Sequence, residues 1–523
     1  MRFSLLLLLL AATLNAQHDP GRNSMRLIAS GDVDEAIELV TQPPNPKNSP
    51  IDEAELNFVL TMAACEQGDV RRAFRLARKA VKEGLPTERL QAGPREILQP
   101  LYDYPWYKLW IRNKEEVLLH GPMVGSVTDA SASFWVRTAE EAMIEVWVWE
   151  ATKVGVKSKR SNGIARTMAS KDFTTVVQVG DLEPETLYRY EVLVNGKSAG
   201  ATAEFKTFPL QGTAAQFTVG FGGGAGFTPQ YERMWTTVDQ RNLDALLLLG
   251  DNVYIDDPEH EVSQQYCYYR RQSQERWRKL VGTVNVATIY DDHDFGMNDC
   301  IPGPEINVPY WKPDVWEVFS QNWANPSYGG GENQPGCWYD FYIGDVHFIM
   351  LDCRYYRDLD GGSMLGPVQK KWFLDTLKNS KGTFKVLASS VPWSPGVKPK
   401  SKDTWDGFAA EREEIFSFIE KEKIDGVLLM AADRHRTDMR RIPRQNGYDL
   451  LEVMSSRLTN VHTHDLIEDA EGSEFIMGYN EMPSFGHLAF DTEAADPVIT
   501  FSMINIDDTV IDSRKVKLSE LAQ

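Results

Sequence analysis

Three patterns of hydrophobic and polar positions succeed one another along the chain. NFVLTMAACEQGDVRRAFRLARKAVKEGLP, from Asn57 to Pro86, repeats Ala and Leu at three- and four-residue steps and predicts two amphipathic helices joined at Gly68-Asp69. Upstream, SMRLIASGDVDEAIELV repeats the same small-residue, Gly-Asp, then Ala pattern. From about Leu118 the period becomes two, in SASFWVRTAEEAMIEVWVWEA and TTVVQVGDLEPETLYRYEVLVNGKSAGATAEFKTF, with a turn at Asn195-Gly196. Such alternation predicts a β-sandwich. From about Gln211, continuous apolar runs alternate with helical stretches. AQFTVGFGG, DALLLLGD, NVATIYDD, DVHFIMLD, TFKVLASS and DGVLLMAAD read as strands covered on both faces, which implies a layered α/β architecture. TPQYERMWTTVDQRN reads as a helix with Thr228 as its cap and Pro229 in its first turn.

These patterns divide the chain into a signal peptide at 1–16, a helical repeat-like region at 17–115, a β-sandwich at 116–210 and a catalytic domain at 211–523. The leader MRFSLLLLLLAATLNAQ has one early Arg, an apolar run too short to span a bilayer and small residues at its end. It implies cleavage after Ala16 and a secreted, periplasmic or extracellular protein with no transmembrane helix. The helical region resembles tetratricopeptide repeats, and so suggests a docking surface for a protein partner. The sandwich resembles a fibronectin type III-like module with Tyr188 in its last strand but one. The net charge of −20 argues against a sequence-independent nucleic-acid grip, which needs a basic face. Five scattered cysteines without CxxC spacing argue against a cysteine zinc site and leave one disulfide among the last four open.

The chemistry collects where strands end. LLLLGDNVY brings Asp251 and Tyr254; ATIYDDHD brings Asp291, Asp292, His293 and Asp294; IMLDCRYYRD brings Asp352, Arg354 and Arg357; VLLMAADRH brings Asp433 and His435. The stretch YDDHDFGMND crowds like charges that repel unless a cation, a base or solvent relieves them. Carboxylates, a phenolate and imidazoles suit Fe, Zn, Mn, Mg or Ca. Two bridged metals would suit in-line attack on a phosphoryl group, with Arg354 and Arg357 clamping its oxygens.

The order GDNVY, YDDHDFGMND, LDCRYYRDLDGGSMLGPVQKKWF, WDGFAAER and ADRH resembles the alkaline phosphatase D (PhoD-like) metallophosphatase family of the calcineurin-like metallophosphoesterases, over roughly residues 118 to 510. The resemblance implies two mixed sheets flanked by helices and a secreted phosphomonoesterase or phosphodiesterase. Asp251 would be the bridging carboxylate, Tyr254 and His435 ligands of a ferric ion, and Asp292 and Asp433 ligands of a divalent ion. His293 would be the general acid or the histidine that orients the phosphate. A metal-bound hydroxide would attack phosphorus, with Arg354 stabilising the charge; Asp406 and Arg412 would flank the pocket mouth. The metals implied are Fe3+ and Ca2+, with Zn2+, Mn2+ or Mg2+ as alternatives, because the family's metal-ligating Cys is replaced by glycine in VGFGGGAGF. The family's Gly before Asp433 is also Ala432. A degenerate, non-catalytic binder of a phosphorylated or polymeric ligand is the alternative. Gly220, Gly222 and Ala225 also fit a dinucleotide fingerprint, with Asp239 or Asp244 as ribose partners.

Overall fold

A computed structural model of the chain describes residues 19–43, 51–114, 116–151 and 160–523. The expected signal peptide at 1–16 lies outside the described residues. The two helices read around Gly68-Asp69 run over Glu53–Glu66 and Val70–Lys82. Asp52 and Asp69 cap them, accepting from the backbone N–H of Glu55 at 2.7 Å and of Arg72 at 3.0 Å. The upstream pair is Pro20–Ala29 and Val33–Thr41.

The strands are β1 (Leu118–Gly125), β2 (Ala132–Thr138), β3 (Met143–Glu150), β4 (Arg160–Arg166), β5 (Thr174–Val179), β6 (Leu187–Val194) and β7 (Lys197–Lys206), then β8 (Gln216–Gly222), β9 (Ala245–Leu249), β10 (Asn285–Ile289), β11 (Tyr339–Ile343), β12 (Val346–Met350), β13 (Phe384–Ala388), β14 (Val427–Ala431), β15 (Thr437–Ile442), β16 (Leu450–Ser455), β17 (Glu474–Tyr479), β18 (Ser484–Asp491), β19 (Val498–Asn505) and β20 (Val510–Lys517). β4-β3-β6-β7 form one sheet. β1, β2 and β5 face it but belong to a nine-stranded sheet, β20-β19-β18-β8-β9-β10-β1-β2-β5, which the parallel pairing of β1 with β10 makes continuous. The period-two region is therefore built into the α/β part rather than tethered to it.

The third sheet is β11-β12-β13-β14-β16-β15-β17. β8, β9 and β10 are mutually parallel in the nine-stranded sheet, as are β12, β13, β14 and β16 in the seven-stranded one. Phe217 and Phe490 of the first meet Phe348 and Phe384 of the second, so the inner faces form a shared aromatic core. β9, β10, β12 and β14 are buried along their whole length, as their unbroken apolar runs require. The two parallel sets deliver their carboxyl ends to one edge, where such sheets gather ligands.

Three sequence expectations change. The segment after Thr228 is a single 3-10 turn, Pro229–Tyr231, followed by the short helix Met234–Asp239, and the Thr228 side chain makes no capping bond. All five cysteines are unpaired. The dinucleotide fingerprint fails because its glycines serve packing: a Cβ on Gly220 would lie 2.4 Å from Leu243, and one on Gly222 3.1 Å from Leu458. Asp244 is spent on the Thr218 N–H at 2.9 Å and Asp239 on Lys279 at 2.5 Å.

The helical region turns one face inward, toward its own chain. Glu55 accepts a short hydrogen bond from Tyr266 on the helix Glu261–Gln272, and Arg270 of that helix pairs with Asp19. Arg89 lies over the rings of Phe58 and Tyr266, 4.7 and 4.6 Å from their centroids. One face of the helical region thus covers part of the α/β domain.

Candidate metal centre

Gly250, at φ +103°, ends β9 and lets the next loop press against it: a Cβ there would sit 2.4 Å from the Cβ of Asp291. No other residue allows that approach in that conformation. Asp251, Asp256, Asp433, His435 and Arg457 also adopt positive φ, at +52°, +48°, +69°, +47° and +139°. Such conformations cost energy and persist where surrounding contacts over-determine them.

The Tyr254 hydroxyl lies 2.9 Å from Asp251 Oδ2 and 3.0 Å from His435 Nε2, and His435 Nε2 lies 3.9 Å from Asp251. Ligand atoms of Asp251, Asp292 and His293 fall within 4.8 Å of one another. The structure therefore brings together five residues from three strand ends that the sequence only lists in order. Asp251 Oδ1, Asp433 Oδ2 and His435 Nδ1 are buried without a hydrogen-bond partner. Natural proteins rarely leave such atoms unmet unless an ion or water meets them. Burial first, then the Asp292, Asp291 and Asp294 charges, push Asp251 well above the carboxylate range against the pull of His293, so a cation between them would relieve the strain.

The crowding in YDDHDFGMND resolves residue by residue. Asp294 accepts from the N–H groups of Val253, Asn252 and Asp291, tying the two loops together. Asp291 accepts from Arg354 Nε at 2.5 Å and Ser390 at 2.7 Å. Burial pushes both carboxyls up to about 7. Asp292 goes the other way, because Arg354 and His293 outweigh its burial. Asp352 never reaches the site; it binds Tyr290 and the backbone of Cys337, Arg354 and Tyr355.

His293 forms a short Nδ1 contact with Asp256, and Asp256 is gripped from the N-terminal helix by Arg26 at 2.7 Å and Arg22 at 3.3 Å. Burial works against a charged imidazole, yet Asp256, Asp292 and Asp251 together raise the His293 pKa well above the usual range. The Tyr254 ring lies against it, tilted by 40° with 4.5 Å between centroids.

The arginines stand elsewhere than expected. Arg354 and Arg357 are fully buried, and both reach Asp403 Oδ1, at 2.5 and 2.6 Å. Arg354 also lies 3.7 Å from Asp292. They hold carboxylates from behind, with no guanidinium face open for a phosphate clamp. Asp406 and Arg412 pair with one another at 2.7 Å and brace the Trp393–Gly396 loop through Trp393 O and the Gly396 N–H.

Sequence reasoning missed His462 and His464. One ring nitrogen of each lies within 4.8 Å of the other and of a nitrogen of His435. The available signal was HTH, two of the chain's nine histidines separated by one residue.

Comparisons with known proteins agree with this geometry. A family model described as PhoD-like phosphatase matches residues 324–492, and one described as Domain of unknown function (DUF7800) matches residues 115–212. Alkaline phosphatase D of Bacillus subtilis (strain 168) is 24% identical over 313 residues, covering 50% of this chain and 52% of the relative. The chain thus spans about half the length of that curated relative. A solved structure of PhoD superposes with a TM-score of 0.61 at 16% identity, over 75% of this chain and 91% of that one. The purple acid phosphatase PPD1 from yellow lupin (Lupinus luteus) seeds gives 0.57 at 14% identity, over 77% and 75%. At these identities the superpositions establish the α/β fold with its mixed sheets. Asp251, Tyr254, Asp292 and His293 precede the matched PhoD segment, so half of the centre rests on the geometry above.

Proposed function

Because the chain belongs to the PhoD-like phosphatase family, we propose that it is an exported, metal-dependent hydrolase of phosphomonoesters or phosphodiesters. The observation that carries this reading is the convergence of Asp251, Tyr254 and His435 on one side and of Asp251, Asp292 and His293 on the other, with a buried atom of Asp251 and one of His435 left without a hydrogen-bond partner. The donor set fits two metal ions: Asp251, Tyr254 and His435 would hold one, and Asp251, Asp292 and Asp433 the other. When bound, the pair would polarise phosphoryl oxygens and activate water. The chain's own residues do the rest. His293, kept protonated by Asp256, donates to the leaving oxygen. Arg354 is a positioning residue that aims Asp291 and Asp292. Residues 1–16 direct export, and the module at 116–210 is fibronectin type III-like; its Tyr188 hydroxyl accepts from the Glu183 N–H at 2.8 Å at the head of β6. The helical region at 17–115 resembles a tetratricopeptide unit that has become part of the catalytic body at 211–523.

Chelation is expected to abolish hydrolysis of p-nitrophenyl phosphate and bis(p-nitrophenyl) phosphate, and metal replacement to restore it. Phosphate-ester binding without turnover under any metal would leave a ligand-binding relative instead.

The N-terminal helix enters this chemistry through Arg26, which donates to Ile255 O at 2.7 Å and pairs with Asp256. Arg26→Ala is expected to lower kcat about 10-fold with KM nearly unchanged, the scale of losing an outer partner of a metal site. Steady-state kinetics beside an unchanged melting temperature checks this.

A further inference from the structure

We infer that His462 and His464 join His435 as direct ligands of a three-imidazole site for a divalent borderline metal ion of the Zn2+ or Fe2+ class. This rests on the metal-centre reading above and extends it to residues that reading does not use.

The loop carrying the two histidines is built onto the glycine stretch. Gly223 O accepts from the N–H groups of Arg457 at 3.0 Å and Leu458 at 3.1 Å, and the Thr459 hydroxyl donates to Gly226 O at 2.6 Å. The next residues are held individually. Asn460 Oδ1 takes the His462 N–H at 2.9 Å, the Thr463 hydroxyl donates to His435 O at 3.1 Å, and Asn480 Nδ2 donates to His464 O at 3.0 Å. Thr463 thus anchors the loop to the backbone of the first histidine while its neighbours turn their rings inward.

The rings meet at 5.3 Å (His435–His462), 5.5 Å (His435–His464) and 4.6 Å (His462–His464) between centroids. Among the described residues, no hydrogen bond ends on a ring nitrogen of His462 or His464, and His435 Nδ1 is buried without one. Three imidazoles so placed, two of them half-buried, disfavour protonation and present neutral ring nitrogens, the form that binds a metal ion.

Gly224 explains why the histidines need glycine at this point. It stands at φ +66°, and a Cβ there would lie 3.1 Å from Arg457 N and 3.4 Å from His435 Cδ2. A side chain at this point and the histidine loop compete for one space. Neutral imidazoles add no negative charge to the donor set. Imidazoles favour Zn, Cu, Fe and Ni among first-row ions, and a less anionic set favours a divalent over a ferric ion.

The test uses the full mature chain, stripped and reloaded with Zn2+, and reads zinc-edge X-ray absorption for imidazole count together with affinity by competition against a chromophoric chelator. The expected native result includes zinc with three imidazoles at one position. His462→Ala and His464→Ala should each remove one imidazole and weaken that zinc at least 10-fold. The double variant should lose that equivalent, while His487→Ala, which removes a histidine of β18 outside the cluster, should retain it. Circular dichroism confirms that each variant is folded. Native zinc with a single imidazole, unchanged in the double variant, would overturn this inference and leave the phosphoesterase reading intact. No metal bound by the native chain would overturn both.

Discussion

Replacing His293 by Ala is expected to cut turnover of an alkyl phosphate ester about 10²–10⁴-fold, the range for losing a positioned general acid. The cause is the ring's pairing with Asp256 through Nδ1, which orients it and holds its proton well beyond ordinary imidazole titration. An alkoxide leaving group needs that proton; a p-nitrophenolate does not. The same variant should therefore lose much less on the p-nitrophenyl esters. Metal content, measured on the same preparations, should be unchanged. A variant that loses metal, or falls equally on both leaving groups, would make His293 a ligand or a phosphate-binding group instead of the acid. Asp256→Asn should reproduce the dependence on leaving group in weaker form, because it leaves the imidazole in place without its counter-charge.

The second large effect is on stability. Arg354→Met is expected to cost about 3–5 kcal/mol, the scale for removing one partner from a buried ion pair. Arg354 is fully buried between Asp291 and Asp403, each 2.5 Å away. Asp403 would keep Arg357 at 2.6 Å and Lys398 at 2.8 Å, so the penalty falls on Asp291, left with the Ser390 hydroxyl at 2.7 Å, and on Asp292, which loses a guanidinium 3.7 Å away. With Arg354 present, burial already lifts the Asp291 carboxyl to about 7. Without it, the folded state binds that proton still more tightly than the unfolded chain does. Below the unfolded pKa the carboxyl is neutral in both states and the variant loses little. As pH rises above that value, ionisation is available only to the unfolded chain, and the loss grows. Denaturant titrations of metal-free protein at pH 5 and pH 8 should show the larger deficit at pH 8. Adding Asp291→Asn should recover part of it, because the uncompensated charge is then gone. An equal deficit at both pH values would point to lost packing of the arginine stem.

The sequence by itself determined the elements and the order in which they carry ligands. Five-residue apolar runs such as Ala245–Leu249 and Val427–Ala431 are buried on both faces, and a short strand buried on both faces has no other composition open to it. Because side chains just beyond a parallel strand's carboxyl end share one edge of the sheet, Asp251, Asp292, His293, Asp433 and His435 were legible as a group before any distance was known.

What only the tertiary structure decided is how charges pair across long separations. Arg354 reads as a phosphate clamp from its place after a strand, yet its partner Asp403 lies 49 residues on, in a segment of no periodicity. Arg26 reads as the polar face of a helix, yet it meets Asp256 across 230 residues. His462 and His464 sit on a loop, where hydrophobic rhythm says nothing about direction. Periodicity reports which face of an element leaves water, a local property of the chain. Which buried charge neutralises which depends on the packing of elements far apart in sequence, and the same packing brings His462 and His464 to His435.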